Sequence, residues 1–379
     1  MIPKFKERYL ERIGLDPLAS YPANATTLAL LQEAHVRTVP YEIIDTIMGC
    51  PADLSPEGMF DKIVTRRRGG FCYEVNGLFA LLLEELGFQV ERLAALVPVC
   101  GAKGDHILMR VTIDGEAWLT DVGFRTAPLV PIRFIDGLVQ DGVKADYRIE
   151  LAPDDEAYTF GFGKESRWLT RRLKGSEEWT RMFRFDDEPY TLESFEWRCI
   201  DFETNEDSHF LKRPSISTEH RAGEKYLNDS IFVNVVDNEL VQRDVKGRGD
   251  FVEILMSEFS AIPWVKTGKE NPGLVNETLG ALRLMSVKPW DGMPKARLGV
   301  VNLGEEGASA GSSLRNEAVD AGYEVVVFDA KEGIEGIVET VDLIVVVFGK
   351  HLPSCHEDML SDLTAKAKAI HVPIIAHQI

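Results

Sequence analysis

Across residues 4–84 apolar positions return at three- and four-residue steps, the spacing of one buried helix face. KFKERYLERIG predicts a short amphipathic helix that Gly14 ends. Thr26–Val36 predicts a second, with Asn24 placed to cap it and Pro40 to stop it. Ser55 opens a third segment, SPEGMFDKIVTRR, with proline at its first helical position and acidic residues near its start. The next run starts at Cys72, lines up Val75, Leu78, Phe79, Leu82, Leu83 and Leu86, and closes at Gly87.

From about Val90 the period falls to two. LAALVPV, HILMRVTI and EAWLTDVGF alternate as strands, and further strands are expected over Tyr147–Leu151, Tyr158–Phe162, Glu178–Arg184 and Glu196–Cys199. Within Asn205–Arg243, SIFVNVVDNELV reads as a strand pair, and Phe251–Ser260 as a closing helix. Around Val265–Pro294 Lys, Gly, Asn and Pro become frequent, which predicts a linker with one short helix at Val275–Met285. The rhythm then changes again: RLGVVNLG, YEVVVFDA, VDLIVVVFG and VPIIAHQI are apolar throughout and alternate with helical stretches. That is the pattern of a small, open, parallel α/β unit whose strands need cover on both faces. The predicted class is α+β. It comprises a helical segment over 1–86, a β-barrel-like domain over 87–200 and an α/β lid over 201–264. A linker over 265–294 leads to a Rossmann- or flavodoxin-like unit over 295–379.

Composition narrows the function classes. A hydrophobic share of 45% and a charged share of 27% are those of an ordinary globular chain, and no apolar run approaches a membrane span. The start, MIPKFKERYLERIG, has no apolar signal-peptide core, so a cytosolic location is expected. Five cysteines without a CxxC pair fit reduced thiols, and a net charge of −19 argues against nucleic acid as a partner. His351, Cys355, His356, His371 and His377 crowd the last unit without a zinc spacing, so no metal is expected. GEEGASAGSS, after the first apolar strand, reads as a glycine-rich loop before a helix. It matches neither G-x-G-x-x-G nor the Walker pattern, which favours a plain turn over a phosphate cradle.

The candidate chemistry centres on Cys72. At a helix start, unpaired N–H groups and the dipole favour an anion, and such positions or a cationic neighbour bring thiols from about 8.5 into the range of roughly 3.5–7.5. Gly69 and Gly70 before it permit unusual backbone angles and close approach to the sulfur. A lone cysteine is more often a small core residue, so the reading needs partners. Asp114-Gly115 between two alternating runs is a hairpin signal. With that loop Ile113 faces Glu116, Leu108 faces Asp121 and His106 faces Gly123, so His106 and Asp121 are diagonal neighbours on one face. A histidine held by a carboxylate and presented to a cysteine is the nucleophile, base and orienter arrangement of acyl transfer.

The signature RRRGGFCYEVN resembles that of the arylamine N-acetyltransferase family, R-G-G-x-C-x-E-x-N, at Arg68, Gly69, Gly70, Cys72, Glu74 and Asn76. DHILMRV resembles the family's histidine segment, DVGFR its aspartate segment D-V-G-F-G, and VPYEI at Val39–Ile43 its V-P-F-E-N. Arg125 stands where glycine is usual and Ile43 where asparagine is usual. The likeness runs to roughly Trp264, fading after about Arg133. The resemblance implies a papain-like triad of Cys72, His106 and Asp121. Arg68, Gly70, Phe71, Tyr41, Gly123, Phe124 and Arg125 would contact donor or acceptor. It implies acetyl-CoA as donor substrate with no bound cofactor, and a small aromatic amine, hydrazine or hydroxylamine as acceptor, as in xenobiotic metabolism. An oligomer is compatible with it. Two alternatives stay open: an amide synthase or transglutaminase-like hydrolase with the same triad, and a catalytically degenerate scaffold acting through the C-terminal unit.

Overall fold

Helices form where the apolar periodicity placed them, at Phe5–Arg12 (α1) and Ala25–Thr38 (α2), and Asn24 caps α2 by accepting from the Thr27 N–H at 2.9 Å. The structure is a computed structural model that describes residues 2–156, 159–220, 223–228, 230–236, 239–259, 274–286, 295–329, 337–348, 354–369, 372 and 374–378. A short strand, Tyr41–Glu42 (β1), and a short helix, Ile44–Met48 (α3), follow α2. Pro56–Phe60 (α4) is capped by Ser55 and runs into a π-helical turn at Asp61–Thr65. Cys72–Glu85 (α5) is the buried central helix. Val75, Leu78, Phe79, Leu82 and Leu83 share a core with Tyr9, Leu10, Leu28 and Leu31 of α1 and α2.

An antiparallel sheet follows, built from Gln89–Leu96 (β2), His106–Ile113 (β3), Glu116–Thr120 (β4), Ile132–Arg133 (β5), Gln140–Asp141 (β6), Ala145–Leu151 (β7), Arg167–Leu173 (β8) and Thr180–Tyr190 (β9). Its eight strands lie in the order β5-β4-β3-β2-β9-β8-β7-β6. The two edges nearly meet: the Arg133 N–H donates to Gln140 Oε1 at 2.7 Å, and Gln140 Nε2 donates to the Arg133 carbonyl at 2.9 Å. The result is an almost closed barrel filled by Leu93, Leu108, Leu119, Ile149, Leu169, Phe183 and Phe185. The β3–β4 hairpin has the expected register where it is paired, Ile113 opposite Glu116 through Met109 opposite Thr120. Asp114 and Gly115 both take positive φ, 52° and 81°, as a two-residue hairpin turn of this hand requires.

Two expected strands are not strands. Glu196–Cys199 begins a helix, Glu196–Thr204 (α6), because Phe195, Cys199 and Phe202 are spaced to bury one helical face. Thr159–Phe162 is a turn, with Phe160 and Gly161 at φ 54° and 80°, and Tyr158 lies outside the described residues.

The second sheet takes Ser215–His220 (β10), Gly223–Asn228 (β11), Ile231–Val236 (β12) and Glu239–Asp244 (β13), antiparallel in the order β1-β10-β11-β12-β13. Its edge strand β1 thus comes from the helical segment. Arg248–Phe259 (α7) and Leu274–Leu284 (α8) follow. Residues 265–273 and 287–294 of the expected linker lie outside the described residues, as do His351 and His371. The last unit runs Arg297–Leu303 (β14), Gly304–Asp320 (α9), Glu324–Asp329 (β15), Ile337–Thr340 (α10), Leu343–Phe348 (β16), Ser354–Ala369 (α11) and Ile374–Gln378 (β17). Its four strands are parallel, ordered β15-β14-β16-β17. The segment expected as a glycine loop is helical from Gly304 onward. Gly311 lets α9 lie close to the sheet, since a Cβ there would stand 1.8 Å from Asn302 Oδ1.

One face of this parallel sheet does not close on its own helices alone. Leu298, Val300, Leu343, Val345 and Val347 share a continuous core with Ile44, Ile47 and Met48 of α3, Phe251 and Leu255 of α7, and Ala281 and Leu282 of α8. The other face buries Val301, Leu303, Ile344 and Val346 against Leu363 and Ala367 of α11. Among the described residues no helix is long and apolar enough to cross a membrane.

Candidate active site

The loop before α5 is pinned by buried charge. Arg68 is 3% exposed; its Nε donates to Glu42 Oε1 at 2.9 Å, and its Nη2 to Glu42 Oε2 and Asp45 Oδ1, both at 2.7 Å. Lys62 Nζ reaches Asp45 Oδ2 at 3.1 Å and both oxygens of Glu74, at 2.8 and 2.9 Å. Glu74 in turn accepts from the Phe71 N–H at 3.1 Å, satisfying a free donor at the start of α5. Burial opposes ionisation of Asp45, yet Arg68 and Lys62 together hold its carboxyl well below the usual range. Gly69 and Gly70 serve close packing rather than unusual angles. A Cβ on Gly69 would meet the Pro40 carbonyl oxygen at 2.0 Å, one on Gly70 would meet Glu74 at 2.8 Å, and the positive φ of this loop, 55°, belongs to Arg67.

Cys72 is the first residue of α5, and its Sγ lies 3.9 Å from the Asp105 carbonyl. His106, at the head of β3, holds its Nε2 2.7 Å from Asp121 Oδ2, just beyond β4, and both side chains are buried. The hairpin count therefore leads to the observed pair. Asp121 Oδ1 also accepts from Asn76 Nδ2 at 2.9 Å and from the Gly123 N–H at 2.8 Å. Asn76 also donates to the Ile107 carbonyl at 2.7 Å and accepts from the Val122 N–H at 2.9 Å, so one amide ties α5 to β3 and to the strand end. Its role was not read from the sequence, although it sits one helical turn after Cys72 on the same face. Gly123 is needed for contact: a Cβ would lie 2.6 Å from Asn76 Nδ2 and 2.9 Å from Cys72 Cα.

Burial and the helix start act in opposite directions on this thiol. Burial pushes the Cys72 thiol well above its ordinary value; the N–H groups of Ile107 and Tyr73 act in the other direction but do not offset it, and the Asp121 charge raises it further. A neighbouring base that accepts the proton would favour the thiolate against this burial.

Residues 24–262 match the family described as N-acetyltransferase. An arylamine N-acetyltransferase of Mycolicibacterium smegmatis is 37% identical over 213 residues, which are 54% of this chain and 72% of that protein. The chain belongs to the arylamine N-acetyltransferase family. An arylamine N-acetyltransferase of Escherichia coli K12 is 33% identical over 183 residues, 47% of this chain and 60% of the relative. The structure of the Mycobacterium marinum arylamine N-acetyltransferase in complex with CoA superposes with a TM-score of 0.62 at 26% identity, covering 74% of this chain and 98% of that one. The parallel unit from β14 onward lies beyond the matched residues.

The other expected contact residues of this acetyltransferase divide by position. Arg68 and Phe71 face inward: Arg68 into its ion pairs, Phe71 into a core with Tyr73 and Phe210. Tyr41 packs against the cluster that holds Cys72, and burial, then the nearby thiol, push its phenol well up. Phe124 stands edge-on to His106, with ring centres 5.1 Å apart, and Phe183 covers the imidazole at 5.2 Å. Arg125 turns to the second sheet, its guanidinium 3.8 Å above the Tyr226 ring and 3.9 Å from Glu224 Oε1.

Proposed function

We propose that the chain transfers the acetyl group of acetyl-CoA to the nitrogen of an arylamine, arylhydrazine or arylhydroxylamine, by a ping-pong route through acetyl-Cys72. With Asp121 on Nε2, His106 has Nδ1 left for proton exchange. It takes the Sγ proton as the sulfur adds to the thioester carbonyl. The carbonyl–sulfur bond to CoA then breaks and the imidazolium returns the proton to the leaving CoA sulfur. In the second half the amine nitrogen adds to the acetyl-Cys72 carbonyl and gives its proton to His106. The carbonyl–sulfur bond to Cys72 breaks, and the proton returns to the thiolate. Asp121 fixes the imidazole tautomer and offsets the charge it carries in both halves. A thioester donor suits this route because acyl exchange between thiols is near neutral in energy. An arylamine suits it because its nitrogen is unprotonated at neutral pH.

The observation that carries the reading is the buried 2.7 Å contact between His106 and Asp121, tied through Asn76 to the helix that begins at Cys72. The family membership and the CoA complex of the M. marinum protein support the donor. The test is incubation with acetyl-CoA and no acceptor, followed by peptide mass spectrometry. One acetyl group on Cys72, absent in Cys72→Ser, is expected. Acetyl on Cys50, Cys100, Cys199 or Cys355 instead overturns the assignment.

A further inference from the structure

The second sheet ends in an exposed edge strand. Every residue of β13, Glu239–Asp244, is exposed, Leu240 and Val241 by 62% and 59%, and among the described residues no strand pairs with its outer side. An exposed edge strand offers free N–H and C=O groups that template pairing with another strand, and the charges of Glu239, Arg243 and Asp244 restrict which strand this edge admits.

The backbone direction of this edge can be worked out. The Val245 N–H donates to the Ser230 carbonyl at 2.7 Å, and Phe232 opposes Arg243 two residues on. By antiparallel alternation Glu239, Val241 and Arg243 turn their backbone groups toward β12, while Leu240, Gln242 and Asp244 offer theirs outward. A second copy of β13 related by a two-fold axis can therefore pair only in registers that oppose outward residues to outward residues. Centring the axis on Leu240 sets Glu239 against the partner's Val241. Centring it on Gln242 sets Leu240 against the partner's Asp244. Centring it on Val241 sets Val241 against the partner's Val241, Leu240 against the partner's Gln242, and Glu239 against the partner's Arg243 twice. That last register alone pairs the charges.

Arg243 is prepared for such a contact. Asp250 takes only its Nη1, at 2.7 and 2.8 Å, and the guanidinium lies over the Phe232 ring, so it is held in place with its Nε–Nη2 side left for a carboxylate. Glu239 makes no ion pair among the described residues. We infer that β13 is a self-complementary dimerisation edge, which joins two copies of this chain into one continuous antiparallel sheet through Val241 on the axis and two Glu239–Arg243 cross-strand pairs. A chain of net charge −19 resists contact with its own copy, which makes the two local opposite-charge pairs the feature that selects this register. An edge of 6 residues makes a small interface of the weak, reversible class.

Sedimentation velocity over roughly 1–200 µM tests this inference independently of any catalytic reading. The wild-type chain is expected to shift reversibly from its 42.4 kDa monomer toward twice that mass. Glu239→Arg sets cation against cation, and Val241→Lys sets two ammonium groups on the axis; each should weaken association at least tenfold. Mixing Glu239→Arg chains with Arg243→Glu chains should restore dimers in the mixture alone, because one chain then brings two cations and the other two carboxylates. A wild-type chain that stays monomeric over the whole range overturns the inference. So does a dimer that Glu239→Arg and Val241→Lys both leave intact.

Discussion

Asp121 is a carboxylate with three donors aimed at it, from His106, Asn76 and the Gly123 backbone, and each donor fixes a different element around the sulfur. Asp121→Asn keeps the shape but brings an amide N–H to face one of those donors, so the imidazole loses its hold while the packing survives. Activity should fall by about 10⁴-fold, with the melting temperature changing little; an unchanged rate of Cys72 acetylation would refute the role. Asn76→Ala removes the tie between α5 and the hairpin and leaves the Ile107 carbonyl and the Val122 N–H unpaired, at about 1–3 kcal/mol for each buried group. It should lower both stability and rate, whereas Asp121→Asn lowers rate alone; thermal melts beside stopped acylation assays separate the two. At this scale the sequence was informative where chemistry and spacing coincide: Cys72 at a helix start, His106 and Asp121 across a two-residue turn. It named Gly123 as a donor or acceptor contact, whereas the close packing that its missing Cβ allows appears only once its neighbours Cys72 and Asn76 are placed. Nothing in the spacing of Arg68 told that Glu42 and Asp45 would converge on its guanidinium.

At the scale of elements, α1 and α2 are joined by a buried polar pair, Tyr9 hydroxyl to His35 Nδ1 at 2.8 Å, with Phe79 of α5 edge-on to the imidazole. Burial, then the Arg12 charge, bring His35 down from 6.5 to about 3. Below pH 6.5 the unfolded chain therefore binds a proton that the folded chain refuses. Stability falls as the pH drops from about 6.5 toward 3, by up to roughly 1.4 kcal/mol per pH unit from this one group. His35→Gln keeps an acceptor for Tyr9 but cannot titrate, so its urea midpoint should decline less over that interval than the wild type's. Equal declines would show that His35 does not govern the acid limb. The same helices were readable in advance because long 3.6-residue periodicity is a strong signal. Glu196–Cys199 was misread because four residues are too few to tell a strand's alternation from part of a helix, and the residues that decide it, Phe195 and Phe202, lie outside that window. The segment after β14 was misread because its glycines and serines suggest a loop, whereas one of them, Gly311, lets the helix lie close to Asn302.

At the scale of the whole molecule, the parallel unit beyond the matched region is built into the body. Its sheet packs Leu298, Val300, Leu343, Val345 and Val347 into the core that also holds α3, α7 and α8. Polar contacts close the same seam: Arg248 of α7 lies 3.4 Å from Asp342, and Asp342 accepts from the Arg297 N–H at 2.8 Å. Gly280 of α8 sits so near α3 that a Cβ would stand 3.0 Å from the Met48 carbonyl oxygen. The sequence pointed to this packing, since strands apolar throughout need cover on both faces that the unit's few helices only partly provide, but it does not show which apolar faces will meet. A chain ending at Ser286 would strip cover from Ala281, Leu282, Leu284, Met285, Phe251 and Leu255. Uncovering a buried aliphatic or aromatic side chain costs roughly 1.5–3 kcal/mol. A few such losses approach the whole stability of a domain, about 5–15 kcal/mol. The truncated chain should therefore melt well below the full chain or accumulate in the insoluble fraction. Val345→Asp in the full-length chain, which puts a charge into the same seam, should reproduce the drop. The effect should also reach the chemistry, because α3 carries Asp45, and Asp45 holds the Arg68 and Lys62 cations that pin the loop before Cys72. Whatever soluble material survives should acetylate Cys72 more slowly, with the deficit in the acylation rate rather than in acetyl-CoA binding. A truncated chain with an unchanged melting temperature and an unchanged acylation rate would show instead that the seam is a contact of convenience and that the parallel unit leaves the catalytic body untouched.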